Sequence, residues 1–125
     1  MVNVDAFEKL DRVIHERGRL AIMSLLAATE SLTFKELKEQ LRMTDGNLSV
    51  HMRTLEEGGY VSVHKSFVNR KPRTEYSLTP QGRAAFQEYI RTLEEIVKQS
   101  QQAEQPQQAS REINPVLQRG VAAAK

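Results

Sequence analysis

Apolar residues recur at helical spacing in four stretches of this chain and alternate with polar ones in two others. Phe7, Leu10 and Ile14 form one stripe, with Val13 beside it, and the stretch from His15 to Gly18 interrupts it. Phe34, Leu37 and Leu41 form a second, among the polar residues Lys35, Glu36, Lys38, Glu39 and Gln40. Leu48, Met52 and Leu55 form a third. Phe86, Ile90, Leu93 and Val97 form a fourth, heptad-like seam that Tyr89 and Ile96 widen, although it is too short for a convincing coiled coil. Between the third and fourth stripes, Tyr60 to Lys65 alternates with Val61 and Val63 on one face, and Thr74 to Leu78 alternates with Tyr76 and Leu78 as its apolar face. The order predicted is helices, then a β-hairpin around a loop from Ser66 to Arg73, then a helix.

The helix boundaries are signalled locally. Thr33 and Glu36 have the spacing of a capping box, and Leu32 and Leu37 flank it as a hydrophobic staple. Thr44 is a second start, stapled by Met43 and Leu48, with Asn47 where Glu would cap better. Gly58-Gly59 ends that helix, because glycine enters the left-handed conformation without a Cβ clash. Thr79-Pro80 pairs a cap residue with proline at the first helical position.

The helix from Thr44 to Gly58 has two unlike faces. Opposite or flanking its apolar stripe stand Asn47, Ser49, Val50, Arg53 and Thr54. A merely solvated face would usually carry Glu and Lys. Short polar side chains let a helix approach base edges, Asn can bond adenine bidentately, Arg can bond guanine, and Val can touch a thymine methyl. The hairpin supplies a complementary feature. From Gly58 to Thr74 the chain carries Lys65, Arg70, Lys71 and Arg73, and no Asp or Glu, whereas the whole chain is only +2. With Asn69, these cations can pair with phosphates or enter a minor groove.

At these residues the chain resembles the stand-alone winged-helix regulators of bacteria and archaea, related to the MarR and ArsR families. LSVHMRTLEEGGYV is similar to their recognition helix and first wing strand, and FVNRKPRTEYSLTPQGRAAF to the wing and final helix of a small MarR-like subgroup. Arg19 to Leu26 is similar to their first core helix, and the likeness covers roughly residues 5 to 97. The resemblance implies a dimeric transcription regulator, usually a repressor, whose paired recognition helices enter successive major grooves. A cysteine metal site of the ArsR kind is excluded, because the chain has no cysteine.

Composition adds bounds. A length of 125 residues fits one domain, and no apolar run approaches the ~18 residues that span a bilayer. The start of the chain lacks a signal-peptide pattern, and the absence of cysteine suits a reducing cytoplasm. The outer stripes, Phe7, Leu10 and Ile14 with Phe86, Ile90, Leu93 and Val97, exceed what one small winged helix can bury, so they are expected to meet between subunits. Six of the ten residues from Gln99 to Gln108 are glutamine and Pro106 is expected to end any helix, so residues 99–125 are expected to be a disordered tail to a 1–98 domain.

An enzyme is disfavoured: the three histidines are scattered, Ser49 and His51 do not face each other on a helix, and no phosphate loop, zinc-protease motif or nucleophile elbow is present. A His–carboxylate metal site between subunits is compatible with the histidines, but no cofactor or metal is assigned. The expected fold is mainly α with a small β-hairpin: a winged helix-turn-helix with extra N- and C-terminal dimerisation helices. The expected function is sequence-specific binding of double-stranded DNA as a cytoplasmic homodimeric repressor on a pseudo-palindromic operator, without a membrane role. An unidentified small-molecule effector is compatible with it. The alternative is a winged-helix protein–protein interaction module without direct DNA readout. RNA is a third option, but the aromatic platform for single strands is missing.

Overall fold

The computed structural model describes residues 4–111, with side chains described as far as residue 101. Its elements are α1 (Asp5–Glu8), α2 (Arg17–Ala27), β1 (Leu32–Thr33), α3 (Phe34–Leu41), α4 (Asp45–Glu57), β2 (Val61–Val68), β3 (Lys71–Leu78) and α5 (Pro80–Arg111). The strands form one antiparallel sheet in the order β1-β3-β2. Val61 pairs with Leu78 and Val63 with Tyr76, which puts the alternating apolar residues of both hairpin strands on the same face.

The caps form as their residue types require. Thr33 Oγ1 accepts the Glu36 N–H at 3.0 Å while Glu36 Oε1 accepts the Thr33 N–H at 2.8 Å, a complete capping box at the start of α3. The bond from the Thr33 N–H holds the exposed Glu36 carboxyl below its ordinary pKa. Arg42 ends α3 in the left-handed region at φ 56°, and the Met43 N–H returns to the Lys38 carbonyl at 3.2 Å. Two residues later Thr44 Oγ1 accepts the Asn47 N–H at 3.1 Å and α4 begins. At the far end of α4, Gly59 turns left-handed at φ 82°. The Tyr60 N–H bonds to the Leu55 carbonyl and the Gly59 N–H to the Glu56 carbonyl, both at 3.0 Å, which is a Schellman motif.

One core collects the inner faces of these elements. Ile14, Ile22, Met23, Leu26, Leu37, Leu48 and Leu55 are fully buried, with Met52, Val61 and Tyr89 nearly so. Each such side chain contributes about 1.5–3 kcal/mol by leaving water. From α5, the side chains of Tyr89, Thr92 and Ile96 are buried, while Phe86, Ile90 and Leu93 are half-buried along the same core.

Four features differ from the pattern read along the chain. The N-terminal stripe is not a long helix. It is a single turn, and Leu10 and Ile14 bury in the core of the chain itself. The cause is Asp11, whose Oδ1 accepts the Val13 and Ile14 N–H groups at 2.8 and 3.3 Å, a local bond that competes with helix. The expected loop from Ser66 to Arg73 is mostly strand: pairing runs out to Val68 and Lys71, and only Asn69 and Arg70 turn, at φ 53° and 66°. Two positive-φ residues make the mirror-image turn whose twist matches the strands. A short strand, β1, pairs Leu32 with Tyr76 and Thr33 with Glu75. Finally, α5 continues past Pro106 to Arg111, carried by flanking Ala, Glu and Gln of good helix propensity. Residues 112–125 of the expected tail lie outside the described residues.

Candidate nucleic-acid interface

The sides of α4 are used differently. Leu48, Met52 and Leu55 are buried, and Asn47, Ser49, Val50 and Arg53 are exposed. Among the described residues, no hydrogen bond or ion pair engages the side chains of Asn47, Ser49 or Arg53. Val50 is 55 % exposed, so an apolar group stands open in the middle of that face. Thr54 is half-buried and its hydroxyl donates to the Val50 carbonyl at 3.1 Å, so its proton is already used inside the helix. Gly46, in the first turn, has open space where a side chain would be, so the backbone there can approach another surface closely.

The hairpin leaves directly from the glycines after α4, and β2 packs beside that helix. Lys65, Asn69, Arg70 and Lys71 are exposed, and no hydrogen bond or ion pair engages their side chains among the described residues. Arg73 differs: its Nε and Nη2 both donate to Glu75 Oε2 at 3.0 Å, so part of its charge is answered within the strand. The base of the hairpin is firmly attached. The Tyr60 hydroxyl donates to Asp11 Oδ2, and burial together with that carboxylate pushes the phenol up to about 12. Thr79 donates its hydroxyl proton to the Gly59 carbonyl at 2.6 Å and its N–H to the Tyr60 carbonyl at 3.0 Å. The same Thr79 hydroxyl oxygen accepts the Gly82 N–H at 2.9 Å, capping α5.

Cations that the chain pattern did not single out also gather here. A cleft of about 500 Å³ beside the start of α4 is lined by Arg17, Gly18, Arg42, Thr44, Asn47 and His51, among others. Arg17 and Arg42 are exposed and unpaired among the described residues. The His51 Nδ1 faces the Arg19 guanidinium at 3.3 Å and Glu16 Oε1 at 3.7 Å, which aims Nε2 at Gly18, where a Cβ would sit only 2.8 Å away. Arg19 donates through its N–H to Glu16 Oε1 at 2.8 Å, and that bond, with His51 and Arg19 nearby, keeps the Glu16 carboxyl below its ordinary pKa. The signal for this cluster is tertiary: the packing of α2 beside α3 and α4 brings residues 17, 42 and 51 to one cleft. The described residues contain no group of three or more His, Asp or Glu placed to hold a metal ion.

The seven residues expected at a dimer contact divide. Leu10 and Ile14 are buried in the core of the chain itself, and Phe86, Ile90 and Leu93 are half-buried against it. Phe7 and Val97 are about half exposed and, with Val4, leave apolar surface open to solvent.

The sequence model of the winged helix DNA-binding domain matches residues 19–97. The chain belongs to that family. Its α3–turn–α4 unit is the helix-turn-helix, and β2–β3 is the wing. An uncharacterised protein of Methanocaldococcus jannaschii is 40 % identical over 87 residues, covering 70 % of this chain and 95 % of that protein. Among solved structures, a transcriptional regulator homologue from Pyrococcus horikoshii OT3 superposes with a TM-score of 0.71 at 26 % identity, over 75 % of this chain and 95 % of that one. A proposed MarR-family regulator from Enterococcus faecalis V583 shares the fold at a TM-score of 0.66 and 23 % identity, over 84 % of this chain and 94 % of that one. No helix among the described residues of this winged helix protein is long and apolar enough to cross a membrane.

Proposed function

We propose that this winged helix protein is a sequence-specific transcription regulator of double-stranded DNA, acting in the cytoplasm as a homodimeric repressor on a pseudo-palindromic operator. The observation that carries this reading is the outer face of α4. Among the described residues, Asn47, Ser49, Val50 and Arg53 are exposed with side chains free of intramolecular hydrogen bonds and ion pairs, beside a wing bearing the likewise unpaired cations Lys65, Arg70 and Lys71. In this reading α4 lies in the major groove, with Asn47 and Arg53 bonding base edges and Val50 against a thymine methyl. The wing holds the backbone or minor groove, and Arg17 and Arg42 add phosphate contacts at the other end of α4.

Two copies would meet through α5 and the N-terminal turn. Phe86, Ile90 and Leu93 supply the half-covered floor, and Phe7 and Val97 the exposed rim. Leu10 and Ile14 then support the interface from within the subunit rather than touching the partner. Dimerisation sets two recognition helices at half-sites about one DNA turn apart, which is why the operator is a pseudo-palindrome.

Selection of bound sites from random duplex DNA tests the proposal. Recovery of an inverted repeat with half-sites about 10 bp apart supports it. Recovery of unenriched sequence, with affinity that depends only on salt, would instead favour the protein–protein interaction module.

A further inference from the structure

Phe67 stands near the tip of the wing with 76 % of its surface exposed, and Val68 beside it is 48 % exposed. An exposed phenyl ring forgoes the favourable burial that rings of this size normally obtain. Phe67 continues the face that Val61 and Val63 occupy at the base of β2, but it projects beyond the core, opposite Pro72. The hairpin beneath it is stiff. Its strands pair as far as Val68 and Lys71, its turn is only Asn69-Arg70, and Pro72 has a fixed φ. The ring is therefore presented on a rigid arm. Lys65 stands two residues back on the same strand face, and Arg70 and Lys71 follow at the turn and the start of β3; no hydrogen bond or ion pair engages these three side chains among the described residues, and no acidic residue occurs between Gly58 and Thr74.

An apolar ring inside a cationic fringe fits a surface with anionic walls and an apolar floor. The minor groove of duplex DNA has that chemistry: phosphates along its edges, deoxyribose and base edges between them. We propose that Phe67 inserts into the minor groove flanking the segment read by α4, packing on sugars and base edges while Lys65, Arg70 and Lys71 hold the phosphates. The assignment rests on the DNA-binding reading above. It adds an apolar contact to a wing otherwise understood as electrostatic. Apolar side chains used this way favour steps that unstack easily, so Phe67 gives the wing a preference for flexible flanking sequence.

The distinguishing readout is salt dependence. An apolar contact releases no counterions, whereas each phosphate contact contributes about 0.9 to the slope of log affinity against log salt. On the selected operator, Phe67→Ala should weaken binding about 10- to 100-fold with the slope unchanged. Phe67→Leu should recover most of that loss. On a duplex trimmed of its flanks, wild type and Phe67→Ala should bind alike. The exposed site makes Phe67→Ala safe for folding, and a thermal melt matching wild type confirms it. Equal affinity of Phe67→Ala and wild type on the full operator would overturn the assignment, as would a fall in slope or a change in sedimentation that placed Phe67 between protein chains. A wild type that binds no duplex would overturn the DNA-binding reading itself, a separate outcome.

Discussion

Gly82, in the first turn of α5, is where the close packing of this fold can be tested most sharply. A Cβ built on Gly82 would lie 2.1 Å from the Tyr60 carbonyl oxygen, 2.8 Å from its carbonyl carbon and 2.9 Å from its Cα. These are backbone atoms, so no rotamer change can relieve the overlap. Gly82→Ala must therefore push the start of α5 and the base of the wing apart by about 1 Å to reach ordinary contact. That movement stretches two bonds between the same segments, Thr79 N–H to the Tyr60 carbonyl at 3.0 Å and Thr79 Oγ1 to the Gly59 carbonyl at 2.6 Å. Overpacking of this kind costs about 1–3 kcal/mol, and loosening two partly buried hydrogen bonds adds about 1 kcal/mol each. Alanine recovers up to about 1 kcal/mol through its better helix propensity. The expected net loss is about 2–4 kcal/mol, or roughly 10–30 °C in Tm for a domain of this size. Urea and thermal unfolding followed by circular dichroism measure it. Gly46→Ala is the control: nothing lies within 4 Å of its Cβ position, so it should be neutral or stabilising by up to about 1 kcal/mol. Gly82→Ala within about 0.5 kcal/mol of wild type, with the control behaving as stated, would refute the packing argument.

Other predictions follow from the same contacts. Changing Arg70, Lys71 and Arg73 together to Ala should weaken binding to all duplexes and lower the salt slope by about 2, not 3, because Arg73 is already answered by Glu75. An unchanged slope would remove the wing from the interface. Arg53→Ala or Asn47→Ala should cost about 1–3 kcal/mol on the selected site and less on random DNA. Equal losses on both would limit these residues to backbone contact. Tyr60→Phe should cost about 1–2 kcal/mol by removing the hydroxyl that donates to Asp11 Oδ2. Because the folded phenol is raised from 10 to about 12, its contribution is complete below pH 10 and is lost as pH rises toward 12, and the Phe variant should lack that decline. Leu93→Asp should produce monomers by sedimentation and abolish operator affinity, since it places an unpaired carboxylate in apolar surroundings. A folded, dimeric variant would show that α5 does not form the interface.

Much of this architecture was legible because its signals are local. Thr33 with Glu36, Thr44, Gly59 and Thr79-Pro80 each act on the next few backbone groups, so their roles can be read from type and spacing. The two faces of α4 follow from the helical period alone. What escaped depends on competition or on distance. Asp11 diverts Val13 and Ile14 from a helix that the apolar spacing favours. The turn at Asn69-Arg70 places an arginine at positive φ, where glycine is commoner, so a run of basic and loop-forming residues concealed paired strand. β1 has only two residues and no periodicity to read. Arg17, Arg42 and His51 come to one cleft when α2 packs beside α3 and α4. Gly82 shows the reverse case: the glycine was visible within a recognisable segment, but its reason, the Tyr60 carbonyl, is contributed from across the wing.

The central claim is that α4 reads base edges in the major groove. Methylation of guanine N7, which lies in that groove, followed by recovery of bound and free operator DNA tests it most directly. The expected result is interference at guanines in both half-sites, with Arg53→Ala losing sensitivity at one guanine per half-site while remaining sensitive at the others. Binding indifferent to N7 methylation at every guanine of a guanine-containing operator would contradict it.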